Sequence, residues 1–195
     1  MNNTYSTTEK NSMPSIKRNL NLGCGNKIKP AYVNLDRVPL KGVDLICDVE
    51  QLYYPFKDNV FDEIYCNNIL EHLDDLVDVM EELHRIAKPN ARIIIKAPHF
   101  TCQYAFADPT HKHYFTYESF DYFLSNDRTG RDRPNWYTAA EFSLISRKII
   151  FSKGILLFWN YFLELIFNKI PQYYEGTFLR VFPAEQIYVE LEVQK

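Results

Sequence analysis

Three scarcities frame this chain. Glycine is rare, at 6 of 195 residues, which excludes collagen-like and glycine-rich low-complexity structure. Positive charge is not in excess: 22 Lys and Arg stand against 25 Asp and Glu, a net charge of -3. Nothing in that balance recruits nucleic acid. Only four cysteines occur, Cys24, Cys47, Cys66 and Cys102, with no close pair, and three lie in or beside apolar runs. A disulfide framework is thereby excluded, and reduced core thiols in a cytoplasmic protein are expected. The most apolar stretch, residues 155–170, falls short of the roughly 20 residues a membrane span requires. A buried or pocket-covering helix is expected there, with an interfacial helix as the lesser alternative. Residues 1–15 are polar, lack the apolar centre of a secretory leader, and read as a mobile tail.

What is present is a chain 46% hydrophobic, enough for one full core over residues 16–195. Because glycines are few, two of them one residue apart stand out, in Leu20-Asn21-Leu22-Gly23-Cys24-Gly25-Asn26. A short apolar run ends at Gly23, so the pair sits where a strand stops. Glycine reaches positive φ and carries no Cβ, which lets backbone approach a ligand at the strand's carboxyl end. An ordinary strand-ending turn uses the same residues, so the context decides.

Residues 16–22 form the first strand by pattern, and only Asn26 to Pro30 separates its turn from a second, residues 31–36 ending in Asp36. The first crossover is therefore abbreviated. Residues 43–49, with Asp48 near the end, and residues 60–66, followed by Asn67 and Asn68, read as further strands. Leu76, Val77, Met80, Leu83, His84 and Ala87 recur at helical spacing behind a candidate N-cap, Asp74. Glu81 and Arg85 are placed to pair on its outer face, and Asn90 is suited to a left-handed stop. Residues 91–97 read as a buried strand, 117–124 as a short helix and 139–151 as β-like. Residues 186–193 alternate as a half-exposed final strand. Asn160, Glu164 and Asn168 make a polar stripe along the 155–170 helix.

The ordered set resembles a class I S-adenosylmethionine-dependent methyltransferase of the small "type 11" kind. The matching pieces are Asn21-Leu22-Gly23-Cys24-Gly25, then Val43 to Asp48 with Pro55-Phe56 and Phe61-Asp62-Glu63-Ile64. Leu70-Glu71-His72-Leu73 follows, then Glu82-Leu83-His84-Arg85 and Lys88-Pro89. The resemblance implies an α/β, Rossmann-like fold with a mainly parallel seven-stranded sheet and an antiparallel last strand. It implies S-adenosylmethionine as cofactor. Gly23, Cys24 and Gly25 would border its amino-acid end, which suits the free N–H groups of a glycine turn. Asp36 would receive the ribose hydroxyls, Asp48 and Val49 the adenine edge, and Asn67 or Asn68 would lie under the methionine portion. Two positions depart from the pattern: Asn21 replaces an acid and Lys27 a small residue. Dinucleotide binding fits less well, since Ile28 stands where a third glycine belongs and the acid comes too early.

Residues 99–138 and 155–183 are expected to form a substrate-side lid. Three of the five histidines, His99, His111 and His113, cluster there with Asp108. Histidine has the pKa of a base for a hydroxyl or ammonium acceptor, so His111 or His99 is the expected base, oriented by Asp108. His99, Asp108, His111 and His113 could instead hold a metal, or form only a hydrogen-bonded turn. Tyr104, Tyr114, Phe115, Trp136 and Tyr137 could wall a pocket or pack a core, and Glu164 or Glu175 could touch substrate. The expected reaction methylates O or N of a small molecule. The expectations for partners are no nucleic acid, no transmembrane segment and a homodimer. A non-catalytic cofactor-binding partner subunit is the remaining alternative.

Overall fold

The computed structural model describes residues 18–125, 138–154 and 158–195. The expected mobile tail, the start of the first strand, Trp136, Tyr137 and the start of the 155–170 helix lie outside the described residues. Seven strands form one sheet: β1 (Asn19–Leu22), β2 (Tyr32–Asp36), β3 (Leu45–Ile46), β4 (Phe61–Asn67), β5 (Ala87–Pro98), β6 (Glu141–Ile150) and β7 (Gln186–Gln194). Their order is β3-β2-β1-β4-β5-β7-β6. β1 to β5 pair in parallel, and β7 runs antiparallel to both its neighbours. The Rossmann-like, mainly parallel sheet with an antiparallel final strand is therefore as the pattern implies.

The abbreviated first crossover is present too, and Asn21 and Asn34 explain how it holds without a helix. Asn21 donates from Nδ2 to Lys27 O and to Asn34 Oδ1, both at 2.9 Å, while Lys29 N donates to Asn34 Oδ1 at 2.9 Å. Two buried amide side chains thus satisfy the backbone that a helix would otherwise satisfy internally.

Helix α1 (Leu76–Ile86) packs Val79, Met80, Leu83 and Ile86 into the main core with Leu20, Leu22, Ile64, Ile93, Ile95, Ile187 and Val189. Its N-cap is Asp75, not Asp74: the Asp75 carboxylate accepts from Val77 N and Asp78 N, and Asp74 instead pairs with Lys112. Arg85 passes over Glu81 to pair with the buried Glu82 and with Asp58, both at 2.6 Å, tying the loop before β4 to the helix. Asn90 takes positive φ (61°) but is not the helix stop: the helix ends at Ile86 with Ala87 extended, and Asn90 lies inside β5 at an irregularity in the β4–β5 register.

Three other expectations change. The third strand shrinks to two residues at the sheet edge, where the Asp44 carboxylate accepts from Asn34 N at 2.8 Å and extends the ladder with a side chain. Residues 117–124 contain only a 3₁₀ turn (Asp121–Phe123), while an unanticipated short helix, α2 (Gln103–Ala107), precedes it. Helix α3 (Trp159–Phe167) is not buried: within it only Phe167 is, and Trp159, Phe162 and Leu165 face outward. With α4 (Pro171–Gly176), Phe167 packs into a second cluster of Ile149, Phe151, Tyr174 and Ala184. No helix among the described residues is long and apolar enough to cross a membrane.

Candidate functional site

At the carboxyl ends of β1, β2 and β4 the chain leaves a cavity of about 550 Å³, lined among others by Gly23, Gly25, Asp36, Asp48, Val49 and Asn68. The two glycines differ in what they face. A Cβ on Gly23 (φ +58°) would meet Ile69 Cγ1 at 2.4 Å, whereas above Gly25 (φ +51°) nothing lies within 4 Å. Packing demands the first glycine, and the second opens onto the cavity.

The turn is not the free amide cradle that the pattern implies. Cys24 N donates to Leu35 O at 3.0 Å, Lys27 N to Cys24 O at 2.9 Å, and Gly25 N to Asp36 Oδ2 at 2.7 Å. Asp36 Oδ1 also accepts from Val38 N at 2.9 Å. A carboxylate has about four acceptor sites, so Asp36 is held in place by two amides with capacity left toward the cavity. Asp48 is similarly fixed by Glu50 N at 3.1 Å. Cys24 is buried, its thiol pushed up chiefly by that burial, and its side chain lines neither cavity described here; neither does Asn67, the last residue of β4. Asn68, with φ +54°, is the asparagine brought to the cavity.

A second cavity of about 490 Å³ adjoins the first, sharing Asn68, His72 and Pro109 with it and adding Glu71, Tyr104, Asp108 and His111. The 3₁₀ turn Leu70–His72 supplies Glu71 and His72. The loop after α2 brings Asp108 and His111 opposite them. His72 and His111 meet edge to face at 4.7 Å.

Glu71 is only 1% exposed, and neither of its carboxylate oxygens has a hydrogen-bond partner among the described residues. Burial pushes its carboxyl up to about 7. His72 is pushed down, first by burial and then by the neighbouring His111. The Thr110 hydroxyl and amide hold Asp108 below the usual carboxylate range. Sequence pattern gave Glu71 no role of its own; the available signal was an acid embedded in Ile69-Leu70-Glu71-His72-Leu73.

His99 is placed apart from this group. It is fully buried, with Nε2 on Glu175 Oε1 at 2.9 Å and Nδ1 on the Thr101 hydroxyl at 2.8 Å. With both nitrogens engaged it has no free lone pair for a base. His113 packs near Phe115, and Asp108, Glu71 and His72, not His99 and His113, are grouped around His111, with Glu71, His72 and His111 mutually within ligand reach. Glu175 also accepts from Tyr117 N, and Glu164 from Phe151 N, so both are structural. Phe115 is core and Tyr114 stacks on Phe106, so of the candidate wall aromatics that lie among the described residues Tyr104 is the one on the cavity. Among the described residues, none between 158 and 183 lines either cavity.

Residues 24–95 match the family model of a methyltransferase domain. Over 61 residues the chain is 38% identical to an uncharacterized protein of Methanocaldococcus jannaschii, a match covering 31% of this chain. That match spans about a quarter of the relative's length (26%). Among solved structures, the chain is similar to a SAM-dependent methyltransferase from Archaeoglobus fulgidus, with TM-score 0.54, 16% identity, and coverage of 91% of this chain and 86% of that one. It is also similar to an S-adenosylmethionine-dependent methyltransferase from Mesorhizobium loti, with TM-score 0.54, 14% identity and 90% of each chain covered.

Proposed function

We propose that this chain, which carries a class I S-adenosylmethionine-dependent methyltransferase domain, methylates an oxygen or nitrogen of a small molecule held in the second cavity. The observation that carries the reading is the junction of two cavities at the sheet's carboxyl ends, with Asn68, His72 and Pro109 on both. The first cavity is within the roughly 300–1,000 Å³ of small-molecule sites and fits the cofactor: it is open above Gly25, has an anchored carboxylate at Asp36, and has apolar walls at Val49, Ile69 and Leu73. Bound there, S-adenosylmethionine supplies a methyl group on a positively charged sulfur.

The chain's own residues do the rest. Asp36 accepts from the ribose hydroxyls with its remaining lone pairs, Asp48 and Val49 border the adenine, and Gly23 and Asn68 border the methionine portion. Transfer is an in-line displacement, so positioning is most of the catalysis. An acceptor hydroxyl or ammonium must also lose a proton. His111 donates from Nδ1 to Ala105 O at 2.9 Å, because a carbonyl can only accept, and its Nε2 therefore carries a lone pair. That lone pair takes the acceptor's proton, with Asp108 Oδ2 3.9 Å away. The lid is the 99–125 segment. The four free cysteines fit a reducing, cytoplasmic setting.

Thermal-shift titration tests the reading. S-adenosylmethionine at ~100 times its dissociation constant adds ~2.7 kcal/mol of stability, and Asp36→Ala abolishes that shift while leaving the fold intact. His111→Ala lowers S-adenosylhomocysteine production on hydroxyl and amine acceptors without weakening cofactor binding. No shift with S-adenosylmethionine in the unaltered protein overturns the function.

A further inference from the structure

The hydrogen bonds around Glu71 bear on what the second cavity binds. The Thr110 hydroxyl donates to Asp108 Oδ1 at 2.7 Å, so its oxygen accepts from His72 Nδ1 at 2.8 Å. His72, like His111, therefore presents Nε2 as a lone pair. The Glu71 carboxylate adds two buried, unpartnered oxygens. One ligand atom from each of Glu71, His72 and His111 lies within 4.8 Å of the others. One carboxylate oxygen and two imidazole nitrogens thus converge in a largely buried place, an arrangement that attracts a cation.

We infer that Glu71, His72 and His111 bind a divalent first-row transition metal ion in the second cavity. Two imidazoles and one carboxylate suit ions of intermediate softness such as Mn²⁺, Fe²⁺ or Co²⁺, and leave positions open to substrate. The outer partners are already in place: Ala105 O fixes the His111 ring, and the Thr110–Asp108 pair fixes His72. Metal–ligand bonds of about 2.1 Å bring neighbouring ligands to roughly 3 Å, so the trio closes slightly on binding.

The inference rests on the methyltransferase reading and narrows it. The acceptor is a hydroxyl compound whose oxygen enters an open position beside the ion. There its proton is lost to solvent water, and the C–O bond forms as the C–S bond breaks, sulfur keeping the electron pair. His111 is then a ligand, and direct proton acceptance by its Nε2 belongs to the metal-free protein.

Full-length protein stripped with a chelator is titrated with Co²⁺ and Mn²⁺, following the Co²⁺ visible absorption and the heat of binding. A single ion should bind. Glu71→Gln and His111→Ala should each weaken it by roughly 10- to 100-fold or more, whereas His113→Ala should not. Glu71→Gln removes a buried unpaired charge, so it is expected to fold and keeps the test decisive. No Co²⁺ or Mn²⁺ binding, or binding unchanged in Glu71→Gln and His111→Ala, overturns the site. S-adenosylmethionine binding, measured on the same stripped protein, separates the two readings. If it persists while no metal binds, only the metal site falls; if it is absent while metal binds, the methyltransferase reading falls.

Discussion

At the scale of single residues, Gly23 and Gly25 look alike in sequence and do different work. Both have positive φ, but only Gly23 is pressed against a neighbour, Ile69. Gly23→Ala combines left-handed strain with overpacking and is expected to cost roughly 2–4 kcal/mol in urea unfolding. Gly25→Ala carries only the strain, about 1–2 kcal/mol, and its methyl group enters the cavity, so its larger effect is weaker S-adenosylmethionine binding by calorimetry. Equal destabilisation by the two would remove the packing argument for Gly23. That Gly23, Gly25, Asp36 and Asp48 line one cavity was legible because strand ends with glycine or acid are a local pattern. The bond from Gly25 N, in the turn after β1, to Asp36, at the end of β2, was not. Glu71 was hidden for a different reason. Nothing local marks an acid beside a histidine in an apolar stretch as unpaired, and only the chain packed around it reveals that, among the described residues, nothing pairs with its carboxylate.

At the scale of elements, α3 inverts the usual rule that a helix turns its apolar face inward. Its polar stripe faces β6, the edge strand. Asn168 accepts from Ile149 N at 2.7 Å and donates to Ile149 O at 2.8 Å. Glu164 accepts from Phe151 N at 3.1 Å, and Asn160 donates to Ser152 O at 2.7 Å. The three side chains occupy backbone groups that an open edge would offer to another strand. The spacing of the stripe was readable in sequence, but its direction was not, because periodicity reports that a helix has two faces and not which one meets the sheet. Asn168→Ala leaves both backbone groups of Ile149 without that partner and is expected to destabilise by about 1–3 kcal/mol, read by chemical denaturation. Trp159→Gln, on the outward face at 64% exposure, should change stability by less than about 0.5 kcal/mol. A reversed ranking would mean that the apolar face, not the polar one, is what the fold relies on.

At the scale of the whole molecule, the described residues form two apolar clusters, one between the sheet and α1 and one at the end of β6, and His99 stands between them. It follows directly on β5, reaches Glu175 on α4 through Nε2, and reaches Thr101 through Nδ1. Thr101 Oγ1 in turn accepts from Ala184 N at 2.9 Å, and Glu175 accepts from Tyr117 N. One imidazole therefore joins three segments far apart in sequence, and a base role and a bridging role are indistinguishable until those segments are folded together. His99→Ala leaves the Glu175 carboxylate with the Tyr117 amide but without the imidazole, and is expected to cost about 1–3 kcal/mol. Amide exchange should accelerate in α4 and in residues 99–117, with S-adenosylmethionine affinity unchanged. His111→Ala should behave in the opposite way, with little change in stability and a loss in transfer. If His99→Ala instead abolished transfer at unaltered stability and exchange, His99 would belong to the reacting groups, and the proposed division between a catalytic cavity beside β4 and a structural seam after β5 would fail.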